Sequence, residues 1–310
     1  MYESHFGLNE RPFSLTPDTG FFFNTPSVRE ALTVILTALS EGEGVIKVTG
    51  DPGTGKTLLC RNLLDTLEDH YAVAHILNPL LSLRDLSQTL VDEFGIKTQG
   101  EIGFQPLMWA ILEKLTNIGN LGRKVLILVD DAQALPDHTL EALRLMTNLE
   151  SKQEKIVQLV LFGQQGLDDR LALPQAHGLS QRVITSCQLR SFTRMELSDY
   201  VAHRMERAGC GLKSVFTFDA LNLIFSASNG SPRLINILCH KGLKQTFSEG
   251  EKVVGREQME QVVAQSERMT SPMAGGPAKP AGSVFSWLKS IGSSKTVLEE
   301  SPLPKDNVSR

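Results

Sequence analysis

Hydrophobic positions follow two rhythms along this chain, and the change from one to the other falls near residue 194. Before it lie short, nearly continuous apolar runs: Val45-Ile46-Lys47-Val48-Thr49, Ala72-Val73-Ala74-His75-Ile76-Leu77, Val125-Leu126-Ile127-Leu128-Val129, Val157 to Phe162 and Val183 to Leu189. Runs of this length read as strands, and Val125 to Val129, continuous and β-rich, suits a strand buried on both faces, as in a parallel sheet. Between them apolar residues recur at helical spacing, as in Leu83, Leu86, Leu90, Val91 and Phe94, and again in Leu107, Ile111, Leu112 and Leu115. Further helices are predicted over 56–67 and 137–149. The pattern predicts an α/β fold, a parallel five-stranded core sheet covered by helices.

After Arg194 the strand rhythm stops. Helices are predicted near 195–208, 217–228, 232–247 and 256–268, the third opening with Ser231 as N-cap and Pro232 at the first helical position. The expected organisation is therefore an α/β domain with an N-terminal arm over 1–193 and an all-helical domain over 194–268. From 269 to 310 the chain turns to Ser, Pro, Gly and Ala, as in Ser271-Pro272-Met273-Ala274-Gly275-Gly276-Pro277, a composition that buries too little to order itself. Within that tail Val284, Phe285, Trp287, Leu288 and Ile291 form a short apolar cluster, readable as a docking helix, a weak interfacial anchor or a segment without fixed structure. There is no internal repeat.

Composition narrows the function classes. With 310 residues the chain can build two compact domains without disulfides or structural metal. No stretch reaches the ~18 uninterrupted apolar residues of a membrane span. The start, Met1-Tyr2-Glu3-Ser4-His5, lacks the basic and apolar regions of a secretory signal, so the expected compartment is the cytoplasm. Cys60, Cys187, Cys210 and Cys239 are scattered and form no C-x-x-C pair, and the seven histidines include no pair at metal-ligand spacing. Net charge is −4; the tail holds five Lys/Arg against three Asp/Glu, so the remainder carries −6. A generally basic surface for nucleic acid is not visible.

The chemistry is concentrated after the first strand. Gly50-Asp51-Pro52-Gly53-Thr54-Gly55-Lys56-Thr57, continued by Leu58, is a complete G-x-x-x-x-G-K-[ST] phosphate loop in the required strand–loop–helix order. Its glycines let backbone N–H groups turn inward around phosphates at the positive end of the following helix. Lys56 is expected to reach the β/γ oxygens of ATP, and the Thr57 hydroxyl to ligate Mg²⁺. The strand 125–129 ends in Asp130-Asp131, the Walker B position, where Asp130 is expected to hold Mg²⁺ directly or through water.

A phosphate-loop sheet followed by a helical lid resembles the AAA+ ATPases. More narrowly, five segments resemble the ExeA/GspA-like group of bacterial secretion and pilus ATPases: Tyr2 to Asp18, Asp131-Ala132-Gln133-Ala134-Leu135, Leu143 to Glu150, Phe162-Gly163-Gln164, and Gly230-Ser231-Pro232-Arg233-Leu234-Ile235-Asn236. The resemblance spans roughly 1–268. It implies a core sheet with a strand inserted between the two Walker strands, and four further roles. Asp131 would polarise the attacking water, although the family usually places the longer Glu there, which predicts slow hydrolysis. Asp131 as a helix N-cap is the alternative. Gln164 matches the sensor-1 position, with Gln165 as its competitor. Arg182, just before the last strand, matches an arginine finger acting on a neighbouring subunit, and Arg233 matches sensor 2 on the lid. The arm around Pro12 to Asp18 would wall the adenine.

By that resemblance the partners are ATP or ADP, other copies of the chain in a homo-oligomer, and inner-membrane proteins of pilus or type II secretion assembly, reached from the cytoplasm by peripheral association. Two readings compete: a DNA-associated AAA+ ATPase of the transposition or replication-initiator type, and a nucleotide-binding scaffold that does not hydrolyse.

Overall fold

The computed structural model describes residues 2–16, 18–67, 71–77, 81–97, 103–151, 154–211 and 214–270. The Trp287 cluster and the rest of the tail lie outside the described residues.

The five apolar runs form one parallel sheet, β1 (Val45–Gly50), β2 (Tyr71–Ile76), β3 (Lys124–Val129), β6 (Val157–Gly163) and β7 (Val183–Leu189), in the order β2-β3-β6-β1-β7. The β4 (Glu150–Ser151) and β5 (Glu154–Lys155) strands are a separate small hairpin, which stops the predicted helix 137–149 at Met146. β6 lies between the two Walker strands, pairing with β1 (Val45↔Leu159) and with β3 (Val129↔Leu161), as the AAA+ resemblance implies. With every strand parallel, all carboxyl ends reach one edge, where Gly50, Asp130 and Gln164 leave the sheet. Open α/β sheets bind ligands at this edge.

The continuous apolar run of the central strand β3 is explained by cover on both faces, while the edge strand β7 leaves Ile184, Ser186 and Gln188 exposed. Val125, Ile127 and Val129 face a cluster that contains Leu86 and Leu90 of α4 (Leu83–Glu93), Ile111 and Leu115 of α5 (Phe104–Asn120), and Leu140 and Leu143 of α6 (Asp137–Met146). Leu126 and Leu128 face the other way, onto Ile35 and Leu39 of α2 (Pro26–Ser40) and Leu59 and Leu63 of α3 (Lys56–Thr66). α2 lies outside the elements predicted above, although Thr25 caps it by accepting from the Val28 N–H and Pro26 opens it.

Past the short α7 (Gly166–Leu171) and α8 (His177–Ser180), the chain is helical: α9 (Arg194–Arg207), α10 (Phe218–Ser228), α11 (Pro232–Ser248) and α12 (Arg256–Thr270), with one isolated bridge, Phe216↔Val254. Ser231 sits at the α11 N-cap position, but its hydroxyl makes no capping bond; the Oγ is buried without a partner.

The N-terminal arm, which includes α1 (Tyr2–Phe6), is laid on these helices. The Tyr2 hydroxyl meets His240 Nδ1 at 3.0 Å, the Asn9 N–H donates to the Ala208 carbonyl at 2.7 Å, and Phe13 packs edge-on against Phe216. Residues 1–262 form one compact unit and 263–310 a second, of which the last turns of α12 are described.

Candidate nucleotide site

The phosphate loop turns because two of its glycines take conformations that L residues rarely adopt, Gly53 at φ +81° and Gly55 at φ +98°. Lys56 opens α3 and is 7 % exposed; its Nζ donates to the Gly50 and Asp51 carbonyls at 2.8 and 2.9 Å. Burial pushes this ammonium below its usual range, and the neighbouring carboxylates of Asp131, Asp130 and Asp51 oppose that shift. Poorly hydrated and held only by neutral carbonyls, it is primed for a stronger anionic partner.

One residue on, the Thr57 hydroxyl donates to Asp130 Oδ2 at 2.6 Å. Asp130 is 5 % exposed, anchored by its own N–H to the Ile76 carbonyl, and its Oδ1 accepts from the Asp131 N–H at 3.0 Å. The contact joins residues from α3 and the end of β3. A hydroxyl beside a carboxylate, both hard oxygen donors, fits Mg²⁺, which takes one or two protein ligands and completes its shell with phosphate oxygens and water. Among the described residues no cluster of three or more His, Cys, Asp or Glu could hold a metal without such help.

Asp131 adopts φ 52°, left-handed and rare for a residue with a side chain, and is exposed. It stands at the N-cap position of the 3₁₀ turn Ala132–Ala134, yet its side chain makes no capping bond. Its Oδ1 accepts instead from Gln133 Nε2 at 3.0 Å. The alternative of a plain helix cap therefore loses the hydrogen bond that would define it.

A cleft of 410 Å³ opens over the loop. Pro52, Gly53, Gly55, Lys56, Thr57 and Leu58 form its floor, Asp131 and Gln164 one wall, Arg233 and Asn236 of α11 another, and Ser14, Leu15, Thr16 and Asp18 of the arm close the end. Gln164, not Gln165, is the glutamine that lines it; Gln165 occupies the N-cap position of α7. The helical region touches the loop directly, with the Arg233 N–H donating to the Gly53 carbonyl at 3.3 Å.

Arg182 is absent from the lining. It precedes β7, whose first residue, Val183, pairs with Val45 at the opposite edge of the sheet from Gly50. Five residue steps of β1, Val45 to Gly50, separate those edges by about 17 Å, so Arg182 does not reach the cleft of its own chain. Its guanidinium is held by Thr147 Oγ1 at 2.8 Å and by Asn148, at the end of α6.

Two groups carried no signal strong enough to find in sequence. Gln133 stood in a quoted segment without a role. Arg204, 5 % exposed, donates to the Pro12 carbonyl and to the Tyr200 hydroxyl; Tyr200 donates to Asn236 at 2.9 Å, and Asn236 reaches the Ser14 carbonyl at 3.5 Å. This circuit ties arm, α9 and α11 together beside the cleft, through residues up to 222 positions apart.

Sheet order, phosphate loop and Walker pair define a AAA P-loop NTPase fold. Comparison with known proteins agrees: the family model described as "AAA domain" matches residues 39–171. The chain is 37 % identical over 250 residues to general secretion pathway protein A of Aeromonas hydrophila, an alignment covering 81 % of this chain and 46 % of that protein; it thus spans about half the length of the curated relative it matches. Among solved structures it is similar to Cdc6p of Pyrobaculum aerophilum, with a TM-score of 0.66 at 15 % identity over 86 % of this chain and 74 % of that one. It is also similar to the RuvB Holliday junction branch migration motor of Thermotoga maritima, with a TM-score of 0.51 at 17 % identity over 91 % and 85 %. At these identities the structural likenesses show the fold alone.

Proposed function

We propose that this chain is an ATP-binding and slowly ATP-hydrolysing AAA+ protein of the ExeA/GspA-like group that serves secretion or pilus assembly at the inner membrane. The observation that carries the ATPase reading is the 2.6 Å contact between Thr57 and Asp130 beside the buried Lys56 ammonium. The similarity to general secretion pathway protein A supports the envelope role.

In this reading the loop from Gly50 to Leu58 binds the phosphates and Lys56 exchanges its carbonyl partners for β/γ oxygens. Thr57 and Asp130 hold the Mg²⁺, which supplies neutralising charge on those oxygens. Asp131 orients the attacking water, Gln164 senses the γ-phosphate from β6, and Arg233 does so from the helical region. The helices from Arg194 act as a lid on the 1–193 core, carrying the arm with them. Arg182 works in trans, which makes the active unit a homo-oligomer. No helix among the described residues is long and apolar enough to cross a membrane; the attachment proposed is peripheral, with the 269–310 tail as its candidate tether. Within the group, the sequence also resembles MshM of the mannose-sensitive haemagglutinin pilus system, which makes pilus assembly the finer form of the proposal.

Affinity capture tests it. Asp131→Asn loaded with ATP is expected to co-purify inner-membrane secretion or pilus proteins from a membrane fraction. Capture of DNA instead, weakening steeply with salt, would replace the envelope reading with a nucleic-acid one.

A further inference from the structure

Gln133 sits where three parts of the site meet. Its side-chain Nε2 donates to Asp131 Oδ1 at 3.0 Å, and its Oε1 accepts from the Gln164 backbone N–H at 2.9 Å. A backbone N–H can only donate and a carboxylate can only accept, so the partners themselves fix which end of the amide is oxygen and which nitrogen. The backbone of Gln133 is anchored too: its carbonyl accepts from Arg170 Nη1 at 2.8 Å, and Arg170 also binds the Leu135 carbonyl and pairs with Asp137. Gly163 leaves the room this arrangement needs, since a Cβ there would lie 3.1 Å from Gln133 Oε1 and 2.7 Å from Leu167.

The arrangement matters because Asp131 has little else to steady it. Its side chain is exposed, rises from a left-handed backbone and does not cap the turn that follows. Among the described residues, the Gln133 amide is its hydrogen-bond partner. A carboxylate that must aim a water along the line of attack loses rate when it swings, and displacement of about 1 Å can lower a rate by ~10²-fold. A planar amide offers a donor to Asp131 and a separate acceptor to the Gln164 N–H at the same time, a pairing that no ionised side chain supplies. Ionised Glu accepts but cannot donate, and Lys donates but cannot accept.

We propose that Gln133 is a positioning residue for ATP hydrolysis, which holds the Asp131 carboxylate in its working orientation and links it to the β6 wall at Gln164. The inference rests on the reading of Asp131 as the water-orienting group. It concerns rate and not nucleotide binding, because neither bond of the Gln133 side chain involves the phosphate loop or Arg233.

The test is steady-state ATP hydrolysis, with thermal melting, on the full chain and on Gln133→Ala, Gln133→Glu and Asp131→Asn. Both Gln133 variants are expected to lose about tenfold or more in kcat while KM for ATP stays within about twofold. Gln133→Glu fills the same space and keeps the acceptor for Gln164 but replaces the donation to Asp131 by like-charge repulsion, whereas Gln133→Ala removes the donor without adding charge, so a loss common to both marks the missing donation. The inference is overturned if Asp131→Asn is inactive while Gln133→Glu turns over at the wild-type rate. It is equally overturned if KM and melting temperature deteriorate in step with kcat in both Gln133 variants, since that marks a structural role. Full turnover in Asp131→Asn would instead remove the reading of Asp131, and the inference with it.

Discussion

Gly53→Ala is the sharpest perturbation of the contact between the phosphate loop and the start of α11. Gly53 has φ +81°, and a Cβ built on it would lie 2.7 Å from Arg233 Cβ and 3.0 Å from Ser231 Oγ. Non-bonded carbons settle near 3.5–4.0 Å, so the first turn of α11 must retreat by about 1 Å. That retreat stretches the Arg233 N–H···Gly53 bond, already 3.3 Å long, beyond hydrogen-bonding range. The left-handed backbone costs an alanine about 1–2 kcal/mol, and the lost bond with its repacking about another 1–2 kcal/mol. At about 2 °C per kcal/mol for a chain of this size, the melting temperature should fall by roughly 6 °C. Gly122→Ala is the matched control, because Gly122 has φ +78° with nothing within 4 Å of the added methyl. It should show the backbone cost alone, about 2–4 °C. Scanning calorimetry with and without Mg·ATP makes the comparison, and the ATP-induced rise in melting temperature should shrink in Gly53→Ala but not in Gly122→Ala. Equal losses in the two variants, with equal rises on adding ATP, would refute the claim that the helices from Arg194 are seated on the loop through Gly53.

Further outcomes follow from the same geometry. Asp131→Asn should abolish turnover while ATP stays bound, and Asp131→Glu should hold or raise the rate, measured as phosphate release; full turnover in the Asn variant would show that another group orients the water. Arg182→Ala and Asp131→Asn, each inactive alone, should partly complement when mixed, because some interfaces then pair an intact Arg182 with an intact Asp131. A protein that stays monomeric with ATP in analytical ultracentrifugation would contradict that expectation.

What the sequence made legible was what lies close together in it. The phosphate loop is eight consecutive residues after a strand, and Asp130 closes an unbroken apolar run, so both could be placed by counting. The five strands were legible for the same reason. The central strands β3 and β6 are buried from Val125 to Val129 and from Val157 to Gly163, so their runs stay apolar apart from Gln158, whose amide is spent on the Leu39 and Glu43 carbonyls, whereas the edge strand β7 exposes Ile184, Ser186 and Gln188. Gln164 and Gln165 could not be told apart, since one step of register at the end of β6 decides which faces the cleft. The binding of Arg204 to Pro12 and of Asn236 to Ser14 joins the two ends of the folded chain, and no local pattern encodes it. For the same reason the arm read as an appendage of the α/β domain, although its contacts run to α9, to α11 and to Phe216. Asp131 showed its shortness in sequence but not its left-handed backbone or its bond to Gln133, whose other end is held by Gln164 only once β3 and β6 lie side by side.

The claim on which everything else depends is that the cleft over Gly50 to Thr57 is a Mg·ATP site. Isothermal titration of Mg·ATP into the wild-type chain and into Lys56→Ala measures it most directly. Saturable one-site binding to the wild type, with most of that affinity lost in a Lys56→Ala protein that melts cooperatively, is the predicted result. Unchanged affinity in folded Lys56→Ala, or no binding to the wild type, would contradict it.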